Sequence, residues 1–166
     1  MRLSPSAFVI AVALTACGEA KSPETGQLGS TRVELTLDDG TKPPALDGRA
    51  FAVRSESGEL SIYVFDEKAD SPTCTDVNVG GWMEKVGGGS AAQIRVGRFS
   101  GGTGKYPVAS IAHVRGGSGK SKVALRSAST KGLSIEISRW DNTFEASLSK
   151  GAGGKGTVSG IVCASR

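Results

Sequence analysis

The sequence predicts an all-β domain, an antiparallel sandwich or barrel of about nine or ten short strands connected mostly by hairpins. Three observations carry this. Nearly every apolar run alternates with a period of two, which sets one face of an extended strand against a core. The glycines cluster between those runs, at Gly80-Gly81, Gly87-Gly88-Gly89, Gly101-Gly102, Gly116-Gly117 and Gly153-Gly154, where turns are needed. No long segment shows a 3.6-residue apolar stripe; residues 82–93 come closest, and three glycines interrupt them.

In chain order, residues 31–37 (TRVELTL) point Val33, Leu35 and Leu37 one way. Residues 49–54 carry Phe51 and Val53, and residues 59–65 place Leu60, Ile62 and Val64 on one face with Tyr63 and Phe65 on the other. Ile94 and Val96 follow, then residues 108–114, where His113 shares the parity of Ile111 and opposes Val114. Val123 with Leu125, the Leu133/Ile135/Ile137 set, the Phe144/Ala146/Leu148 set and residues 158–163 complete the series. Two of these runs make a specific hairpin. With Asp141-Asn142 as a two-residue turn, Ile135 faces Leu148, Ile137 faces Ala146 and Arg139 faces Phe144, while Glu136–Ser147 and Ser138–Glu145 line the polar face. Arg139 is the misfit, expected at the sheet edge with its stem over Phe144.

The first thirty residues are of another kind. After Met1-Arg2, residues 7–14 (AFVIAVAL) run apolar without a break. That run suits the core of a signal peptide and is far short of the roughly 20 residues a membrane-spanning helix takes. Leu14-Thr15-Ala16-Cys17 follows, an aliphatic residue, two small ones and a cysteine. This segment resembles the lipobox of bacterial lipoproteins. The resemblance implies cleavage before Cys17, a diacylglyceryl group on its thiol, and a membrane partner held through that lipid. Gly18, where an aspartate signals retention in the inner membrane, points toward the outer membrane and a periplasmic or exterior domain. Residues 1–16 are then the signal peptide, 17–29 the lipidated cysteine and a flexible tether, and 30–166 a single β domain. The tether, poor in apolar residues, would stand the domain off by roughly 20 Å on average.

Export also orders the cysteines. With Cys17 taken by lipid, Cys74 and Cys163 remain as an even pair in an oxidising compartment, where a disulfide is expected. The alternatives are two free thiols or a metal site, and His113, the single histidine, makes zinc a poor fit. No metal or cofactor is expected. The net charge of +4 hides an asymmetry: residues 17–84 carry a net −7 and residues 85–166 a net +10. Either the halves face and partly cancel each other, or a basic surface meets an anionic cell-envelope polymer or protein. Lys105, Arg115, Lys120 and Lys122, all at or near turns, are the candidate anion-binding residues. Nucleic acid is not an expected partner of an exported, anchored domain.

Other constellations are weaker. Gly119-Lys120-Ser121 has the ending of a phosphate-binding loop, but Val114 stands where the first glycine is needed and the segment after it has strand character. Phe99 fails Lys105 in the same way. Asp66, Glu67, Asp70 and Asp76 match no calcium-loop spacing, and Ser71-Pro72 marks a solvated loop. Trp82 and Trp140 are either binding aromatics or caps on the ends of the core, and the second is the expectation. The functional expectation is a non-catalytic binding or structural β domain. One alternative is an inhibitor of a lysozyme-like enzyme, using a basic hairpin at residues 118–122 against a carboxylate pair. The other is a hydrolase with His113 as general base.

Overall fold

The computed structural model describes residues 30–117 and 124–164. The expectations for residues 1–29, including Cys17 and the tether, and for Lys120 and Lys122, lie outside the described residues. The strands are β1 (Arg32–Leu35), β2 (Ala50–Arg54), β3 (Leu60–Phe65), β4 (Ser90–Val96), β5 (Gly104–Arg115), β6 (Ala124–Ala128), β7 (Ser134–Trp140), β8 (Thr143–Gly151) and β9 (Gly154–Cys163). The fold is mostly β: seven strands close a barrel and two more lie alongside. The circuit runs β9-β2-β3-β4-β5-β7-β8 and closes where β8 pairs β9; β1 adds to β9 and β6 to β5. Of the sandwich and the barrel that the alternation allowed, the chain builds the barrel.

Most ladders are the antiparallel hairpins that Gly-rich turns impose. The exception is the first link of the circuit: β2 runs parallel to the end of β9, with Phe51 beside Ile161 and Val53 beside Cys163. Two long strands change partner along their length. β5 gives residues 104–107 to β7 and residues 111–115 to β6. β9 gives residues 154–157 to β1 and residues 161–163 to β2. The crossing requires glycine at 160, where a side chain on β9 would run into the Ala50 backbone and the Phe144 ring.

The barrel interior is aliphatic, filled by Leu60, Ile62, Val64, Ile94, Ile111, Ile135, Ile137, Phe144 and their neighbours. Val33, Leu35 and Leu37 join it, as their common parity predicts. A second apolar layer lies outside the barrel wall, where Phe51, Tyr63, Phe65, Ala91 and Val114 meet Val77, Trp82 and Val86. These last three come from α1 (Cys74–Asn78) and the 3₁₀ helix Gly81–Val86, which the absence of a helical stripe did not predict. Both are too short for a stripe to register. The local signal was Thr73-x-x-Asp76: Thr73 and Asp76 cap each other's backbone N–H groups at the start of α1. Residues 72–76 are therefore the entry to a helix rather than an ordinary solvated loop. Tyr63 and Phe65 are buried on the outer face because this helical pair covers them.

The 133–150 hairpin forms in the expected register over its first half, with Ile135 on Leu148, Glu136 on Ser147 and Ile137 on Ala146. Beyond Ile137 a β-bulge corrects the expectation: Arg139 pairs with Glu145 and Trp140 with Phe144. The bulge turns both Ser138 and Arg139 to solvent, so that Trp140 points inward over the core. Arg139 pairs with Asp141 at 2.9 Å instead of lying over Phe144.

Candidate functional site

The positions singled out by sequence do not converge. Lys105 opens β5 opposite Glu136, and Arg115 ends the same strand opposite Ser90 and Ala124. Ten residues of strand separate them by about 30 Å, so Lys105 and Arg115 do not share a patch. Asp66, at the end of β3, accepts hydrogen bonds from the backbone N–H groups of Lys68 (3.0 Å) and Ser90 (2.7 Å), which ties β3 to β4. Asp76 caps α1, and its hydrogen bonds from Thr73 hold its carboxyl below the usual carboxylate range. Among the described residues no three metal-ligating side chains gather, and no helix is long and apolar enough to cross a membrane.

Cys74 and Cys163 lie at disulfide distance, with sulfurs 2.01 Å and Cα atoms 5.4 Å apart. The pair joins α1 to the last turn of β9, and Asn78 adds a hydrogen bond to the Ala164 carbonyl at 3.0 Å. The helical pair is thereby clamped over the outer apolar layer.

His113 faces the barrel interior and is 2% exposed. Neither ring nitrogen has a hydrogen-bond partner among the described residues, so no hydroxyl or carboxylate stands in triad geometry beside it. Burial, reinforced by Arg115, holds its pKa below the ordinary imidazole value.

What the sequence did not single out is the barrel mouth at the start of β5. Phe99, in the β4–β5 loop, folds into the opening and packs edge-on against Tyr106 (ring centroids 5.0 Å) and Trp140 (4.8 Å). Trp140 in turn tilts against Phe144. The loop needs unusual backbone to make this plug: Gly101 and Gly102 adopt positive φ, and so does Arg98, at φ 54°, where a side chain is strained. The Tyr106 hydroxyl steadies the loop by donating to the Gly102 carbonyl at 3.3 Å. Over the plug sits Arg54, the last residue of β2, with its guanidinium carbon 5.8 Å from the centre of the Phe99 ring.

Arg54 and Arg98 are exposed and form no ion pair among the described residues, whereas Arg95 and Arg139 at the same end are matched by Glu59 and Asp141. Lys105 lies just past the loop, at this end. Arg54 thus lies over Phe99, which packs on the half-buried Trp140, and Arg98 precedes Phe99 in the loop; both guanidiniums are exposed. Such guanidinium forks bind carboxylate or phosphate bidentately, and the indole offers an apolar face to the body of the same ligand. No single motif marks this site, since its members come from β2, the β4–β5 loop, β5 and β7. Comparisons with protein-family models, with curated proteins and with solved structures return no match for the chain.

Proposed function

We propose that the chain is the precursor of an exported, lipid-anchored, non-catalytic β-barrel that binds an anionic partner of the cell envelope at its mouth. The observation that carries the binding role is Arg54: its guanidinium is stacked on Phe99, exposed, and left without a carboxylate among the described residues. A purely structural arginine would be expected to find an acid or a carbonyl, as Arg95 finds Glu59 at 2.8 Å. The lipid anchor rests on Leu14-Thr15-Ala16-Cys17 alone. The burial of His113 away from any nucleophile weighs against a hydrolase built on it.

The test has two arms. The mature protein should be retained by immobilised polyphosphate or polygalacturonate, but not by neutral dextran, near physiological salt. The Arg54→Gln/Arg98→Gln variant should elute at markedly lower salt, because exposed charge pairs are screened over about 8–10 Å under those conditions. Equal retention of variant and wild type would remove the mouth from the reading. Separately, wild type should incorporate a fatty-acid probe and Cys17→Ser should not; an unlabelled wild type would remove the anchor.

A further inference from the structure

Of the four buried polar side chains among the described residues, Thr31, Ser90, His113 and Ser159, only His113 has buried polar atoms without a hydrogen-bond partner. His113 points inward from β5, level with Ala92 on β4 and Arg126 on β6. It is 2% exposed, and neither Nδ1 nor Nε2 meets a partner among the described residues. A neutral imidazole can occupy such a place. An imidazolium cannot hold it without burying a charge and two N–H donors unpaired, which is among the most unfavourable arrangements a core can contain.

The surrounding charges do not rescue the protonated form. Arg115, two residues along the same strand, opposes it. Asp66 on β3 favours it, but that carboxylate is already engaged by the N–H groups of Lys68 and Ser90. Arg126, level with the ring on β6, is itself a cation, and the nearby Asp39 carboxylate is engaged by that guanidinium. On β4 the residue level with the ring is Ala92, which carries no charge.

The strands flanking His113 are unequal. β4 is paired along its length with β3 and β5. β6 has five residues, of which only Ala128 is buried. Beyond β5, the backbone contacts of β6 among the described residues are the bridge from Leu37 to Ala128 and the Asp38 N–H donated to the Ser127 carbonyl at 3.0 Å. Leu125 in its middle is 62% exposed. When the imidazole must reach water, the path of least loss is the detachment of β6.

We propose that His113 is an acid-triggered latch, whose protonation releases β6 from β5 and uncovers the 111–115 edge of β5. An uncovered edge offers a row of unpaired N–H and C=O groups on which another extended segment can pair. His113 is the single histidine of the chain, so it alone among the side chains has an ordinary titration range between neutral and mildly acid pH. The sign follows from burial. The folded protein holds the proton less readily than a free imidazole, so the closed barrel is favoured above the ordinary value of 6.5 and loses ground as pH falls below it.

Amide hydrogen exchange of the mature protein, corrected for intrinsic rates, tests this between about pH 7.5 and about pH 5. Protection at residues 124–128 should fall up to about tenfold for each pH unit below the free imidazole value, while β3 and β4 stay protected. His113→Leu should keep β6 protection flat over the same range. If that variant fails to fold, the proton resonances of the His113 ring in wild type supply the second measurement. No titration of the ring should then appear while β6 remains protected. The latch is overturned by unchanged β6 protection in wild type, by the same loss in His113→Leu, by loss spread equally over β3 and β4, or by a ring that titrates at or above its free value in the closed barrel.

Discussion

The Thr31 hydroxyl takes the place of a missing strand beside Ser159. It donates to the Ser159 carbonyl at 2.8 Å and accepts from the Ser159 N–H at 3.1 Å, and both residues are buried. At this point β9 is between neighbours. Its pairing with β1 ends with Arg32 on Thr157, and its pairing with β2 begins with Phe51 on Ile161. A strand that changes partner leaves one N–H and one C=O facing nothing, and in a buried position these need a partner. One side chain that both donates and accepts meets both needs.

Thr31→Val keeps the shape and removes both hydrogen bonds, leaving the Ser159 backbone groups buried and unsatisfied. The expected loss is about 1–3 kcal/mol of unfolding free energy, read from urea denaturation. Thr31→Ser should retain most of the stability. No loss in Thr31→Val, or a larger loss in Thr31→Ser than in Thr31→Val, would mean that the methyl group, not the hydroxyl, is what matters.

Cys74 and Cys163 should be protected from thiol reagents until reduced. Their bond closes a loop with a sequence separation of 89 and holds α1 against the outer apolar layer. Reduction, or Cys163→Ser, should cost about 3–5 kcal/mol by the chain-entropy account. The loss should be accompanied by exposure of Trp82, visible as a red shift of its emission. A reduced protein as stable as the oxidised one would show that the helical pair is held by packing alone.

The strands were legible because a half-buried strand writes its burial into alternate residues, and Val33/Leu35/Leu37 or Ile135/Ile137 have no other reason to alternate. The cysteine pair was legible because Cys74 and Cys163 are the two cysteines of residues 30–166. The helical pair was not, because Val77, Trp82 and Val86 are too few to make a stripe, and because the face they cover already carried aromatic residues that read as a plain outer surface. Nor was the mouth legible: Arg54 and Phe99 are distant in sequence, and only closure of the barrel stacks one upon the other.

Asp141 gives the hairpin a pH dependence of defined sign. Its carboxylate accepts from the Thr143 N–H at 2.7 Å, from the Arg139 Nε at 2.9 Å and from the Thr143 hydroxyl at 2.9 Å. These bonds, the backbone one first, lower its pKa from 3.8 to about 2. A depressed carboxylate stabilises the fold above its unfolded value and loses that contribution as pH falls toward the folded one. Wild type should therefore lose stability from pH 3.8 down to about 2 more steeply than Asp141→Asn does. Parallel acid-denaturation curves for the two proteins would remove the turn as the source.

Deleting Ser138 should leave the barrel intact. The bulge exists because two residues, Ser138 and Arg139, stand opposite Glu145 alone between the inward pairs Ile137–Ala146 and Trp140–Phe144. An unbroken ladder through the full sequence would turn Arg139 inward onto Phe144 and Trp140 out to solvent, burying a guanidinium in place of an indole. The bulge avoids this by using one extra outward residue. Removing that residue makes the ladder regular with Arg139 still on Glu145 and Trp140 still on Phe144, and the Asp141 turn is untouched. The deletion should thus preserve the near-ultraviolet circular dichroism of the Trp140–Phe99 contact and change stability by no more than about 1 kcal/mol, within the ordinary range for a surface change. Deleting an inward residue such as Ile137 should cost several-fold more, since a packed aliphatic is lost with it. If the Ser138 deletion unfolds the protein or exposes Trp140, the extra residue is supplying the local twist that barrel closure requires, and the register argument does not account for it.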